Sequence, residues 1–388
     1  MRDFIFENRT KIIFGRDTEK LLGPETVKYG RKALLHYGGG SIKKIGLYDK
    51  VIDSLTASGI EIIELGGVVP NPRLDLVNEG IRLVKENSID IIIAVGGGSV
   101  IDSAKAISIG ACYDGDVWDF YSGKADADNA LPVATVLTIP AAGSESSNSS
   151  VITNLDGKLK RGYSSNVIIP VFSILNPENT YSLPPYQIAC GAADILAHLM
   201  ERYFVNEELV DLTDRLIEGA MQNIMKFAPL AIKNPENYDI RAEVMWVGTV
   251  AHNNLLDTGR GGDWASHGIE HELSGIYDIA HGAGLAIVFP AWLKYVKTIN
   301  PFKLVQFGKR VFEITDKSDD ETIDTAIERL EEFFHSINLP TKLSDINIDN
   351  THFDEMAEKA VGKNTDTTIG SYVKLDFDAV KKIYQLAL

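Results

Sequence analysis

The 388-residue chain is longer than one hydrophobic core usually serves, so two domains are expected. Apolar residues make up 45% of the chain and charged residues 24%, which is typical of a folded globular protein with a large core. A formal net charge of -16 argues against nucleic acid and against an anionic membrane surface as partners, because both attract basic proteins. Small molecules are therefore the expected ligands.

Two cysteines, Cys112 and Cys190, are too few for a disulfide framework or for a multi-cysteine zinc site, and they suit a reducing compartment. The first residues lack the basic start and apolar core of a signal peptide. No apolar run approaches the roughly 20 residues that a membrane span needs. These features predict a cytoplasmic protein.

Along residues 1–180, short β-branched runs alternate with helical stretches, a pattern typical of a parallel α/β sheet with right-handed crossovers. We predict strands at 32–37, 61–65, 90–95, 134–139 and 172–175, and helices at 72–86 and 99–109 between them. Ahead of these elements, residues 3–14 are predicted to form a hairpin or a free strand. An exposed strand edge of this kind often pairs with its own copy, so a homodimer is expected.

Beyond residue 180 the β-rich pattern ends, and a proline pair at Pro184 and Pro185 marks a break. Long helical patterns follow, and we predict helices at 187–205, 209–225, 240–256 and 319–337. The sequence thus predicts an α/β dinucleotide-binding domain over 1–180 and an all-α, metal-binding domain over 181–388.

Two glycine runs carry the signal for the dinucleotide. Gly38-Gly39-Gly40-Ser41 and Gly96-Gly97-Gly98-Ser99 each follow a predicted strand and open a predicted helix. Glycine at such a turn lets a pyrophosphate approach the backbone, the helix N-terminus favours its charge, and the serine can cap the helix. Neither run is the spaced Rossmann fingerprint or a P-loop, so an ordinary Rossmann domain is not expected.

A third polar turn, at 138–145, follows the fourth predicted strand. It is either an ordinary βα connection or the part of the site that holds the nicotinamide end of the cofactor. The first glycine run offers no carboxylate for a ribose 2′-hydroxyl, which NAD enzymes usually provide. Its serine, its backbone amides and the nearby Lys43 and Lys44 could instead accept a 2′-phosphate. We therefore expect NADP(H) to be preferred over NAD(H).

Histidines cluster in the helical half, where five of the eight fall between His198 and His281. The pairs Asp194/His198 and His267/His271 each have a spacing of four residues, which puts both side chains on one helix face. Taken alone, the Asp194/His198 pair is better explained as a contact that stabilises its helix, and the second histidine pair is what favours a metal site. Three histidines and one aspartate suit Zn2+ or Fe2+ at an open catalytic site. The zinc-protease pattern is absent, because Gly275 stands where its second histidine would be.

The remaining histidines have simpler interpretations. His36, His335 and His352 are expected to be packed or solvated, and His252 could be a core residue. Trp118, Trp264 and Trp292 could line an apolar pocket, although large aromatic side chains more often belong to the core.

Taken together, the motifs resemble the iron-dependent (group III) alcohol dehydrogenases, in the branch of butanol dehydrogenases and NADPH-dependent aldehyde reductases. The resemblance covers essentially the whole chain, from the first glycine run through Pro70-Asn71-Pro72-Arg73, the second run and Gly143-Ser144-Glu145 to the segments 270–274 and 278–284. It implies a dehydroquinate-synthase-like fold with the active site in a cleft between the two domains. One departure is Ala142, where relatives often carry threonine.

The resemblance also implies the roles of individual residues. It assigns the metal to Asp194, His198, His267 and His281, and gives His271 a proton-transfer or orienting role. The implied cofactor contacts are Gly38, Gly39, Gly40, Ser41, Asn71, Gly97, Gly98, Ser99, Thr138 and Lys160.

The predicted function is interconversion of small primary alcohols and aldehydes by hydride transfer with NADP(H) or NAD(H), assisted by one Fe2+ or Zn2+ ion that lowers the pKa of the alcohol. In the aldehyde-reducing direction, His271 or a water chain would supply the proton. A polyol dehydrogenase or a dehydroquinate-synthase-like lyase of the same fold is the nearest alternative, and a redox-silent NADP-binding protein is the non-enzyme alternative. Basic residues that a lyase would need for a phosphate and carboxylate substrate are scarce around the proposed ligands.

Overall fold

The computed structural model of the protein describes residues 1–362 and 367–388. Grouped by internal contacts, the chain forms two compact units. The sheet unit comprises Glu7–Leu183 and Pro235–Thr249, and the helical unit comprises Met1–Phe6, Pro184–Asn234 and Val250–Leu388. The domain boundary at residue 180 stays a prediction. The return of 235–249 to the sheet unit was not visible in the sequence.

The strands of the sheet unit are β1 (Lys11–Phe14), β2 (Lys32–Gly38), β3 (Glu61–Val68), β4 (Ile91–Gly96), β5 (Val133–Leu137), β6 (Ser149–Asn154), β7 (Leu159–Ser164) and β8 (Phe172–Leu175). Six of them form a parallel sheet in the order β1-β8-β5-β4-β2-β3, and β6 and β7 form a separate antiparallel hairpin. The helices of this unit are α1 (Leu22–Thr26), α2 (Ser41–Lys44), α3 (Leu47–Ala57), α4 (Leu74–Asn87), α5 (Gly98–Ala111) and α6 (Trp118–Tyr121).

The middle of the sheet is buried on both faces, and β4 shows why. Its side chains alternate between two apolar clusters: Ile92 and Ala94 pack into one, and Ile91, Ile93 and Val95 into the other. Parallel strands that are covered on both faces by helices read as continuous apolar runs, as this one does. Each buried isoleucine contributes about 1.5–3 kcal/mol of apolar burial, so the two clusters fix β4 at the centre.

The strand order reverses at one point. From β2 the chain places β3 on one side and β4 on the other, so the switch point lies between β2 and β4. Ligands of open α/β sheets bind outside the carboxyl ends of the strands at such a point. The two glycine runs follow these two strands.

The predicted α/β architecture is confirmed, but the interpretation of residues 3–14 as a hairpin or free strand is wrong. Lys11–Phe14 forms β1, which pairs in parallel with β8 at one edge of the sheet. Ile13, for example, pairs with Ile174, more than 150 residues away. Local alternation of residue types cannot reveal a partner at that distance along the chain. The hairpin of the structure is β6–β7, which was not predicted.

The helical unit contains long helices, as predicted. They are α7 (Pro185–Tyr203), α8 (Asp211–Lys233), α10 (Ala265–Tyr277), α11 (His281–Val296), α12 (Phe302–Val311), α13 (Asp319–Ser336), α14 (Phe353–Val361) and α15 (Phe377–Leu386), while α9 (Tyr238–His252) begins in the sheet unit and ends in this one. Pro185 starts α7, where its fixed φ suits the first turn. A capping box between Ser318 and Glu321 starts α13. Each helix in the described part of the chain is too short or too polar to span a lipid bilayer.

Candidate active site

The carboxyl edge of the sheet brings the glycine runs together. Gly38 ends β2 and Gly96 ends β4, and these strands are neighbours in the sheet. Gly40 has φ +104°, a backbone conformation that residues with a Cβ rarely adopt. A Cβ on Gly97 would lie 2.9 Å from Ile139 Cβ, so glycine is needed for the turn after β5 to approach. The two runs therefore share one open edge with the third polar turn.

The expectation that serine caps each helix is wrong. The N-cap residues are Gly40 for α2 and Gly97 for α5, and Ser41 and Ser99 lie within the first helical turn. Gly40 occupies the left-handed region, where serine would be strained, and this geometry moves the serine one position into the helix.

The other predicted cofactor residues are tied to the same edge by backbone bonds. The Thr138 N–H donates to the carbonyl of Gly96 at 3.0 Å, which fixes the turn after β5 to the end of β4. Asn71 is buried, with φ +52°, in the segment that follows β3. Two residues later, Arg73 forms a parallel bridge with Thr153, and Thr153 pairs with Lys160 on β7. Lys160 is also buried, so the hairpin carries it to the Asn71 segment.

A buried lysine supports the turn after β5, and sequence reasoning missed it. The Lys105 ammonium is fully buried and donates to Ser144 Oγ at 3.0 Å, to the Ser147 carbonyl at 2.9 Å and to the Ser149 carbonyl at 2.9 Å. Burial lowers the pKa of Lys105 to about 8. Asp102 accepts hydrogen bonds from Ser144 Oγ at 2.5 Å and from the Val151 N–H at 3.0 Å. Lysine six residues after Ser99 was the available signal.

In the helical unit, three histidine nitrogens surround one carboxylate oxygen. From Asp194 Oδ1, the distances are 3.7 Å to His198 Nδ1, 3.9 Å to His267 Nε2 and 3.7 Å to His281 Nε2. Ligand atoms of Asp194, His267 and His281 lie within 4.8 Å of one another, a spacing that one ion with bonds of about 2 Å can bridge. The structure thus brings together three of the four residues predicted as metal ligands, and the fourth, His198, lies beside Asp194 but outside this group.

Three helices supply these side chains. Asp194 and His198 lie one turn apart on α7, His267 lies in the first turn of α10, and His281 is the first residue of α11. Asp278 ends α10 in the left-handed conformation, with φ 52°, and reverses the chain within three residues. The short turn is what returns His281 to His267, whose ring centroid lies 5.4 Å away.

Two buried glutamates hold the imidazoles, and sequence reasoning missed both. Glu201 Oε1 bonds to His267 Nδ1 at 2.9 Å and to the His267 N–H at 3.0 Å, while its Oε2 accepts from the Trp264 N–H at 2.7 Å. Glu270 bonds to His281 Nδ1 and to the Ser274 hydroxyl. Such carboxylate–histidine pairs fix the tautomer and direct the other ring nitrogen to a metal. Glu201 lies seven residues after Asp194, on the same face of α7, which was the signal.

The cluster fits a divalent metal. Asp194, His198 and His267 are each less than 10% exposed. Among the described residues, His198 Nδ1 and His267 Nε2 are buried and have no hydrogen-bond partner, a situation that native proteins rarely leave without a reason. Burial first, and then the neighbouring His252, lowers the pKa of His198 well below its usual value. A neutral imidazole is the form that binds a metal.

His271 and His252 flank the cluster. The His271 ring centroid lies 6.4 Å from that of His267 and 5.5 Å from that of His281. His252 packs against His198 with centroids 4.3 Å apart, so it adjoins the site although it was set aside as a core residue. Trp264 also borders the cluster, with its ring centroid 5.3 Å from that of His267.

The other histidines and tryptophans lie in other surroundings. His36 is fully buried and bonds to the Leu65 carbonyl and to Ser103 Oγ, both at 2.8 Å. His335 bonds to Thr341, and His352 bonds to Glu355. Trp292 is buried among Phe204, Phe289 and Tyr372, and Trp118 stacks on Tyr121.

The fold and the donor set point to one family, and comparison with known sequences identifies it. Residues 9–177 match the family described as iron-containing alcohol dehydrogenase, and residues 188–388 match the C-terminal part of the Fe-containing alcohol dehydrogenase family. The chain belongs to the iron-containing alcohol dehydrogenase family. The resemblance inferred from the motifs is confirmed.

Individual relatives span the full length of the chain. It is 39% identical to NADH-dependent butanol dehydrogenase B of Clostridium acetobutylicum, over 99% of both chains. It is 37% identical to NADPH-dependent aldehyde reductase YqhD of Escherichia coli, over 100% of both. The solved structure of NADH-dependent butanol dehydrogenase A from Thermotoga maritima superposes with a TM-score of 0.96 at 42% identity, covering 100% of this chain and 99% of that one.

Proposed function

We propose that the protein is a metal-dependent alcohol dehydrogenase that interconverts small primary alcohols and aldehydes with a nicotinamide dinucleotide, as butanol dehydrogenases do. The observation that carries the proposal is the arrangement of three histidine nitrogens within 3.9 Å of Asp194 Oδ1 in a chain of this family. The names of two relatives, a butanol dehydrogenase and an aldehyde reductase, support small alcohols and aldehydes as the substrate class.

Asp194, His198, His267 and His281 would hold one Fe2+ or Zn2+ ion. Such an ion supplies Lewis-acid polarisation of the substrate oxygen, and both metals suit this mixture of carboxylate and imidazole ligands. Glu201 and Glu270 keep the His267 and His281 rings oriented by accepting from Nδ1. His271, with its ring 5.5 Å from that of His281, is the proposed proton donor or acceptor for the substrate oxygen.

The nicotinamide cofactor would bind at the carboxyl edge of the sheet, where it supplies or accepts the hydride. The proposed contacts are Gly38, Gly39, Gly40, Ser41, Asn71, Gly97, Gly98, Ser99, Thr138 and Lys160. Backbone of the glycine runs would lie against the pyrophosphate, because no Cβ obstructs it. NADP(H) is the proposed preference, supported by the absence of a carboxylate from the first glycine run, Gly38 to Ser41.

A homodimer is also proposed. β1 lies at the edge of the parallel sheet, and Phe4 and Ile5 in the segment ahead of it are 53% and 96% exposed. A second copy of the chain is the proposed partner for this apolar segment. Light scattering on purified protein would give twice the monomer mass, and replacement of Phe4 and Ile5 by serine would lower it. A monomeric parent protein would contradict the proposal.

The function is tested by following NADPH oxidation at 340 nm with butanal. Metal-stripped protein is compared with aliquots that receive Fe2+, Zn2+ or no metal. Activity that returns with metal would support the dehydrogenase and would rank the two ions. Silence with every metal, and with both NADPH and NADH, would overturn it and favour a lyase or a polyol dehydrogenase.

A further inference from the structure

A small cluster of charged and aromatic side chains lies beside the first glycine run. The Lys43 ammonium lies 5.1 Å from the centroid of the Tyr37 ring and 4.5 Å from that of the Tyr48 ring. The hydroxyls of both tyrosines donate to Glu64, one to each carboxylate oxygen, at 2.8 Å. We call these four residues the Lys43 cluster.

Backbone contacts fix this cluster beside the turn formed by the first glycine run. Tyr37 is the residue before Gly38, and the Lys43 N–H donates to the carbonyl of Gly40 at 3.1 Å, so the lysine stem leaves the helix one turn after the glycines. Glu64 lies on β3 opposite Leu35 of β2. Gly66 makes room for the tyrosine, because a Cβ there would lie 2.8 Å from Tyr37 Cε2.

The two charged side chains of the cluster differ in whether they can bind a ligand. Both Glu64 oxygens accept from tyrosine hydroxyls, so this carboxylate is engaged in holding the rings, unlike the acidic residue that binds a ribose hydroxyl in NAD enzymes. Lys43 is exposed and carries its charge over two ring faces, which attract a cation and limit the positions of a flexible side chain. The hydrogen bond to Tyr37 raises the pKa of Lys43, so the ammonium stays charged.

We infer that Lys43 is the residue that distinguishes a ribose 2′-phosphate from a 2′-hydroxyl, and that Tyr37, Tyr48 and Glu64 position it. This inference rests on the proposed function, because it assumes that the nicotinamide cofactor binds at the glycine runs. Lys44 is also exposed and carries the same charge, but among the described contacts it lies over neither tyrosine ring. The inference therefore separates two adjacent lysines that the sequence alone treats as equivalent.

The test compares Lys43→Met with Lys44→Met, which remove the same charge one residue apart. Dissociation constants for NADPH and NADH are measured on metal-loaded protein from the enhancement of cofactor fluorescence. Loss of one exposed charge facing a phosphate costs Lys43→Met about fivefold in NADPH affinity, with NADH affinity changed less than about twofold. Lys44→Met changes both constants less than about twofold.

Two further variants test the positioning. Lys43→Arg keeps the charge and its attraction to the rings and retains the NADPH preference. Tyr48→Leu removes one ring face and gives part of the Lys43→Met loss, whereas Tyr48→Phe keeps the face and gives less. Circular dichroism melting curves confirm that each variant folds.

The outcomes separate the inference from the function on which it rests. Equal effects of Lys43→Met and Lys44→Met on NADPH affinity, or an equal loss of NADPH and NADH affinity in Lys43→Met, would overturn the role of Lys43. Activity of the parent protein with butanal would still support the proposed function. A parent protein that bound neither dinucleotide would overturn both.

Discussion

Two buried polar regions of the molecule differ in how their polar atoms are satisfied. Around Lys105, the ammonium has several oxygen partners at 2.9–3.2 Å, and Asp102 accepts from a hydroxyl and a backbone N–H. Around Asp194, ring nitrogens of His198 and His267 have no hydrogen-bond partner among the described residues, although the rings are packed and oriented. In the first region, protein atoms supply the hydrogen-bond partners. In the second region, the unpartnered ring nitrogens suit a bound metal ion.

This difference distinguishes polar residues that stabilise the backbone around a site from polar residues that are proposed to bind its ligand. Lys105 donates hydrogen bonds within the turn that follows Thr138, so we expect its effect on a cofactor to be indirect. His267 and His281 point one ring nitrogen at Asp194 and the other at a glutamate, so we expect their effect on a metal to be direct. Substitutions in the two regions should therefore differ in kind: loss of the metal in one and loss of folding stability in the other.

The largest effect is expected from His267→Ala or His281→Ala. Each removes one imidazole from the metal cluster, and bound metal and turnover should fall together, activity by at least about 100-fold. Metal content by plasma mass spectrometry and NADPH oxidation with butanal measure the two quantities. His335→Ala is the matched control, because His335 lies outside the cluster and bonds within its own segment, to Thr341. Full turnover of either cluster variant would refute the assignment.

Lys105→Met is expected to act through stability. It leaves the Ser147 and Ser149 carbonyls without the ammonium and should lower the free energy of unfolding by about 3 kcal/mol. Urea unfolding measures this change, and metal content should stay at the parent level. Lys124→Met, at a lysine side chain that is 70% exposed, is the control. A stable variant with depleted metal would reverse the distinction between the two regions.

Glu201→Gln tests whether a buried residue that orients a proposed ligand affects metal binding or folding stability. Glu201 is buried like Lys105, but it bonds to the His267 ring. Loss of the charged acceptor for His267 Nδ1 should weaken metal affinity about 10- to 100-fold. Competition with a fluorescent chelator measures the affinity. The exposed neighbour Glu208→Gln should bind metal as the parent does. Unchanged affinity in Glu201→Gln would mean that packing alone fixes the His267 ring.

Local patterns predicted the parallel sheet and the clustering of Asp194 with histidines, whereas the choice of the four proposed metal ligands came from the resemblance to a known family. Continuous apolar runs mark strands such as β4, and a spacing of four residues aligns Asp194 with His198 on one helix face. Local patterns could not predict features that depend on pairing across the chain. β1 finds β8 more than 150 residues later, and Glu201 meets His267 from another helix. The Gly40 cap was missed because its positive φ is a property of the folded turn.

The smallest effect concerns a histidine that resembles His198 in burial but has both ring nitrogens bonded. Burial lowers the pKa of His36 to about 4, below the value of 6.5 expected in the unfolded chain. The unfolded state therefore binds more protons between these values, so this contribution to stability is complete above about pH 6.5 and is lost as the pH falls towards 4. Lowering the pH from 7 to 5 should cost about 2 kcal/mol through His36 alone.

His36→Asn keeps a hydrogen-bonding side chain but does not titrate, so its free energy of unfolding should depend less steeply on pH over this range. Urea unfolding at pH 5, 6 and 7 measures the slope, with His335→Asn as the control at an exposed histidine. Parallel slopes for the parent and His36→Asn would contradict this prediction, because they would mean that folding leaves the pKa of His36 unchanged.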